Sequence, residues 1–225
     1  MNAAAWLASG TAQFLRDVDA LTDAELDAAT ALPGWTRRHL LAHVASNAEA
    51  LGRLVSWART GVESRMYASP GQRAADIESG AERPAAALRS WVHDSAKDLE
   101  TAFETLPRRA WQSEVVTAQG RTVPAAELPW LRAREVGVHA VDLGAGTTFA
   151  DLPAPFCTAL VDDVVRRRGG RDGPSLALSA VDTGGAWRLD GNGEPCPVAL
   201  PVADLAAWLT GRAVRPELPA LSPWL

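Results

Sequence analysis

Large apolar residues recur at helical spacing through the first two thirds of the chain. Between residues 3 and 20 they are Leu7, Phe14, Leu15 and Val18, with Leu21 just beyond. Pro33-Gly34 breaks the chain, and Thr36 stands where a hydroxyl can cap a long helix that runs to Thr60 and stops at Gly61. Pro84 opens a third helix, with Leu88, Trp91, Val92, Leu99 and Phe103 on one side. Pro124 starts a fourth, which Gly144-Ala145-Gly146 ends. The polar stretch MYASPGQRAADIESG, with Pro70-Gly71 inside it, reads as a long loop of the kind that often carries function. WQSEVVTAQGRTV reads as irregular or briefly extended. Four amphipathic helices joined in this way predict a four-helix bundle over residues 1–148.

The pattern then changes. TFADLPAP, with two prolines, reads as a linker, and residues 155–168 look helical up to Arg166-Arg167-Arg168, a basic helix end before Gly169-Gly170. SLALSAVD and AWRLDG are short strand-like runs around a Thr183-Gly184-Gly185 turn. PCPVALPVADLAAWLTGR reads as a short strand and then a helix ending at Gly211. The expected class is mainly α, a helical bundle followed by a small α+β domain over residues 149–225.

Composition narrows the function. With 47% hydrophobic and 22% charged residues the chain can bury a true core. A net charge of −5 and the lack of a basic run argue against a nucleic-acid partner. No apolar stretch is long enough to span a bilayer, and MNAAAWLASG lacks the features of a signal peptide, so cytoplasm and a monomer are the expectations. Cys157 and Cys196 stand far apart without a CxxC spacing, which disfavours both a disulfide framework and a thiol motif.

The stretch REVGVHAVDL departs from an apolar stripe. On a helical wheel Leu128, Leu131, Val138 and Leu143 form an apolar arc, Glu135 falls near its middle and His139 one turn on, while Arg134 and Glu127 lie opposite. Side chains four apart are about 5–6 Å apart at Cβ, close enough to share one ion. A Glu–His ion pair is the plainer account of these two residues alone. A third donor favours a metal. On the second helix His43 lies at the edge of the arc Leu40, Val44, Ala48, Leu51 and Val55, beside Asn47 and Leu54. His39, one turn back, also has metal spacing but points further toward solvent, and His93 sits on a polar face. His43, Glu135 and His139 make a two-histidine, one-carboxylate set, suited to Zn²⁺ with an open fourth position or to Fe²⁺. Asp142 is either an orienting partner of an imidazole or an ordinary last-turn residue.

GWTRRHLLAHVASNAEAL, MYASPGQR and VVTAQGRTVPAAELPWLRAREVGVHAVDLGAGTTFADLP, with the later WLTGR and the closing PWL, resemble the mycothiol-dependent maleylpyruvate isomerases, DinB-like metal-binding bundles. The resemblance implies a bundle with a small α/β domain and zinc on His43, Glu135 and His139. It implies mycothiol as thiol cofactor and a dicarboxylate substrate, 3-maleylpyruvate, converted to 3-fumarylpyruvate in gentisate breakdown. It also implies roles for Arg73 and Arg212, each of which on residue type alone would read as solvent-facing. Gly137 departs from the family, where an aromatic residue can stand.

The chemistry is coherent. A cis double bond conjugated to a carbonyl rotates once a nucleophile has added to it, and a thiolate both adds and leaves well. Arginine binds carboxylates through paired N–H donors and can stabilise an enolate. A thiol S-transferase of the same fold, a metal-dependent hydrolase and a non-enzymatic metal-binding module are the alternatives.

Overall fold

The computed structural model describes residues 3–69, 71–169, 173–222 and 224. Pro70 and Gly170, read above as breaks, and Pro223 and Leu225 of the closing PWL lie outside them. The chain divides into two compact units, one ending at Gly146 and the other beginning at Thr147. Its class is the expected one, mainly helical with small sheets.

The first unit contains α1 (Ala3–Ala20), α2 (Arg37–Thr60), α3 (Gln72–Ala81), α4 (Ala85–Glu104), the strands β1 (Glu114–Val116) and β2 (Thr122–Pro124), and α5 (Leu128–Asp142). α1 lies along α5, and α2 along α4. Apolar side chains from these helices form two core clusters, one around Leu51, Leu54, Phe103 and Leu128 and the other around Phe14, Leu40, Val44 and Val136. Each fully buried side chain of this size contributes about 1.5–3 kcal/mol relative to exposure.

Local chemistry sets the ends of α2. Thr36 accepts from the N3 backbone while its own N–H donates to His39 Nδ1 at 3.2 Å, a capping box with histidine in the usual glutamate position. Gly61 closes the helix at φ 75°, in the left-handed region that glycine enters without strain.

Four sequence expectations change. The MYASPGQRAADIESG stretch is not a continuous loop, because residues 72–81 form α3. Only Ile77, Gly80 and Ala81 of that helix are buried, too few to give a periodic stripe. Gly80 is required there: a Cβ would come within 2.7 Å of the Trp91 ring and 2.8 Å of Ala42. The last bundle helix starts at Leu128 rather than Pro124, since Pro124 is extended and pairs with Glu114 in a two-stranded hairpin. Arg134 is buried rather than solvent-facing, because α5 is flanked by both α1 and α2. The TFADLPAP stretch is more than a linker. Residues Phe149–Asp151 form a 3-10 turn with a Thr148/Asp151 capping box, and Phe149 is buried.

The second unit holds α6 (Ala154–Arg168), β3 (Pro174–Ala180), β4 (Ala186–Leu189), β5 (Asn192–Leu200) and α7 (Val202–Leu209). The sheet order is β4-β3-β5, with β3–β4 antiparallel and β3–β5 parallel. Between β4 and β5 the chain passes the start of β3 so closely that a Cβ on Gly191 would lie 2.5 Å from the carbonyl oxygens of Gly173 and Pro174. Pro195 and Pro197 are tolerated in β5 because it is an edge strand.

Candidate metal centre

His43 enters the bundle from α2, where it is buried at 4% exposure among residues that face α4 and α5. Glu135 and His139 come from α5, one turn apart. His43 Nε2 lies 2.6 Å from Glu135 Oε1, and His139 Nε2 lies 3.5 Å from the same oxygen. One ligand atom from each of the three residues falls within 4.8 Å of the others. The imidazoles meet edge to face, with ring centroids 5.0 Å apart.

The surroundings decide what these groups are. Burial alone pushes the Glu135 carboxyl up, but the imidazoles of His43 and His139 outweigh it and hold its pKa well below the usual carboxylate range. Burial pushes His43 down, against the pull of Glu135, so it favours the neutral form. Burial acts on His139 in the same sense, yet its hydrogen bonds to Asp142 and Glu135 win and raise it. Asp142, itself buried, sits 2.9 Å from His139 Nδ1. That contact holds a proton on Nδ1 and leaves Nε2 as the ring nitrogen that faces Glu135. Two imidazole nitrogens and an ionised carboxylate facing one point suit a divalent metal, and the donor set matches that of catalytic zinc sites with an open position.

His39 does not join this cluster. Its Nδ1 is held at 2.7 Å from Thr36 Oγ1, and its Nε2 faces Glu78 at 3.5 Å. His93 pairs with Asp19 on the surface. Arg73 stands on the first turn of α3, with Nη2 3.4 Å from His43 Nδ1 and its guanidinium 6.0 Å from the Trp35 ring centroid. Arg212 belongs to the second unit. It follows Gly211, which turns the chain at φ 78°, and its Nη1 donates to the Thr210 carbonyl at 2.7 Å. Its guanidinium also lies 5.9 Å from the Trp224 ring centroid.

Three neighbours were not singled out by sequence. Trp35 packs its ring 5.3 Å from that of His43. Tyr67 is half-buried, and burial raises its phenol above the ordinary range against the pull of Arg73. Its signal was weak but present: it is the chain's one tyrosine and lies six residues before Arg73. Arg132 is buried on α5 and reaches α2.

The fold and this cluster define a helical-bundle protein with a two-histidine, one-carboxylate candidate metal centre. The model of the mycothiol maleylpyruvate isomerase N-terminal domain matches residues 7–144, and the chain belongs to that family. Two solved structures are similar over nearly the whole chain. One, described as the crystal structure of the mycothiol-dependent maleylpyruvate isomerase, has 36% identity and a TM-score of 0.90, covering 94% of this chain and 88% of that one. The other, a histidine-to-alanine mutant under the same description, has a TM-score of 0.89 with the same identity and coverage. No curated protein matches the chain. No described helix is long and apolar enough to cross a membrane.

Asp142→Asn tests the orienting contact. Metal affinity should fall roughly 10–100-fold, as read by chelator competition, because such partners set ligand orientation and basicity. Unchanged affinity would leave Asp142 as an ordinary last-turn residue. The metal-free protein gives a second readout. A raised folded pKa for His139 means stability fully present below its unfolded value of 6.5 and lost as pH rises through the folded value. Removing Asp142 should reduce that loss when melting temperature is followed against pH.

Proposed function

We propose that the chain isomerises 3-maleylpyruvate to 3-fumarylpyruvate, with mycothiol as its thiol and one zinc ion on His43, Glu135 and His139. The convergence of those three donors is the observation that carries this reading. When bound, the metal and the thiol supply a thiolate at neutral pH, able to add to the cis double bond and to leave after rotation.

The chain's own residues do the rest. Glu135 stays ionised across the physiological range, so the donor set remains ready to hold a divalent ion. Asp142 keeps the His139 proton on Nδ1. The position of Arg73 beside the His43 ring supports a role for it on one carboxylate of the substrate, and the family resemblance supports one for Arg212 on the other carboxylate or the developing enolate. The Trp35 ring packs edge to face against His43 and helps to hold it in place.

The cysteines support an external nucleophile. Cys157 is fully buried, and burial pushes its thiol up to about 12, far from a thiolate at neutral pH. Cys196 lies on the edge strand β5. A Cys157→Ala, Cys196→Ala double variant should therefore keep most isomerase activity. Inactivity in a folded, metal-loaded double variant would place the nucleophile on the protein.

An S-transferase of the same fold would consume thiol, whereas an isomerase returns it. With maleylpyruvate and limiting mycothiol, we expect many turnovers per thiol and no loss of free thiol. One thiol lost per substrate converted would favour transfer, and thiol-independent cleavage of the substrate with uptake of water would favour hydrolysis.

A further inference from the structure

The bundle has an opening between α1 and α4. α1 lies along α5 and α4 along α2, but α1 and α4 make few contacts with each other. Between them is a cavity of about 710 Å³, with Leu7 and Leu15 of α1, Leu99 and Phe103 of α4, and Trp111 in its walls. That volume lies within the range of about 300–1,000 Å³ typical of small-molecule sites.

One charged group contributes to this wall from inside the bundle. Arg132 on α5 is only 2% exposed yet lines the cavity. Its Nη1 donates to the Val44 carbonyl at 2.8 Å and to Asn47 Oδ1 at 2.9 Å. Its Nε and Nη2 have no protein hydrogen-bond partner among the described residues, and neither is fully sealed from solvent. These two atoms form the edge through which arginine holds a carboxylate with two parallel hydrogen bonds. Burial brings the Arg132 pKa down to about 10, against the pull of Glu135 and Tyr67, neither of which is hydrogen-bonded to it. Buried charges are ordinarily paired and hydrogen-bonded, so half of this guanidinium lacks the partner its burial calls for.

We propose that the α1–α4 cavity is a binding site, separate from the candidate metal centre, for a monocarboxylate with an apolar body of medium-chain or aryl-acid size. The carboxylate sits on the Nε–Nη2 edge of Arg132, and the body lies against Leu7, Leu15, Leu99 and Phe103. Charge at the rim limits the ligand further. Asp94, Glu100 and Glu104 line the cavity, and the one lysine there, Lys97, is already bonded to Glu100 at 2.8 Å. A second carboxylate at the outer end would meet these acids, so the cavity discriminates against dicarboxylates such as the substrate proposed above.

Calorimetric titration of the full-length, metal-loaded protein with sodium octanoate tests this. One octanoate should bind per chain, and n-octanol and suberate should each bind at least about tenfold more weakly, the scale of losing or opposing a charge-assisted contact. Ala96→Phe, which adds bulk to the cavity wall from α4, should weaken octanoate at least about tenfold while metal content stays unchanged. Arg132→Lys, if folded, should lose most of the preference for octanoate over octanol, since an ammonium lacks the planar fork. No octanoate binding up to about 1 mM, equal binding of octanol, or full octanoate affinity in Ala96→Phe would each overturn the proposal.

Discussion

The unaltered protein is expected to carry close to one zinc per chain, and His43→Ala, Glu135→Ala and His139→Ala should each lose most of it. The three donors lie within 4.8 Å of one another, and no fourth His, Cys, Asp or Glu completes the group among the described residues. Removing one leaves two protein ligands, too few for the three-ligand arrangement of a catalytic zinc site. Glu135→Ala should be the most severe, because its carboxylate is the one negative charge in the set and contacts both imidazoles. Breaking a buried ion pair from one side typically costs about 3–5 kcal/mol, so this variant should also lose stability when metal-free. Glu135→Gln keeps the shape without the charge and separates loss of metal from loss of packing. His39→Ala should retain its metal and lose only the reciprocal half of the α2 capping box, since Thr36 still accepts from the backbone of residue 39. Elemental analysis of the purified variants decides the matter. Full zinc in all three ligand variants would remove the proposed site, and loss in His39→Ala with retention in His43→Ala would assign the wrong imidazole.

Arg212→Ala is expected to stay folded and metal-loaded but to lose at least about a hundredfold in kcat/KM. A plain structural role competes with this proposal, because Arg212 donates to the Thr210 carbonyl at the end of α7. A cation at a helix C-terminus is worth about 0.3–1 kcal/mol, which would lower the melting temperature slightly and leave turnover alone. Loss of a donor to a developing oxyanion costs about 2.7–4 kcal/mol, or 10²–10³ in rate. The two roles are therefore separable by magnitude. Arg212→Lys should restore only part of the rate, since it keeps the charge but not the paired donors. Near-normal kcat/KM in folded Arg212→Ala would leave the second unit without a part in the chemistry.

The ease of reading these elements from sequence followed how strongly burial imposed a period. α1 and α4 each bury one stripe against the core, and their apolar spacing showed it; α2 is buried all round from Leu40 to Ser46 but keeps large apolar residues at helical spacing beyond that. α3 buries only Ile77, Gly80 and Ala81, so its pattern was that of a polar loop. α5 is covered on two sides, so a wheel that assumes one wet face misplaced Arg134. The same wheel put Glu135 and His139 inward because ionisable residues in an apolar arc are conspicuous wherever they fall. The choice of His43 over His39 agrees with burial, and the reason His39 stays out was hidden in the cap: its Nδ1 is engaged by Thr36. Trp35, Tyr67 and Arg132 reach the site or the core through tertiary contacts with no sequence period, which is why spacing did not reveal them.

The central claim is a metal-bound, thiol-dependent isomerisation. Its most direct test is conversion of 3-maleylpyruvate to 3-fumarylpyruvate by the zinc-loaded protein with and without mycothiol. Rapid conversion with the thiol, and none above background when either thiol or metal is withheld, is the predicted result. Undiminished conversion without mycothiol, or no conversion with both present, would contradict it.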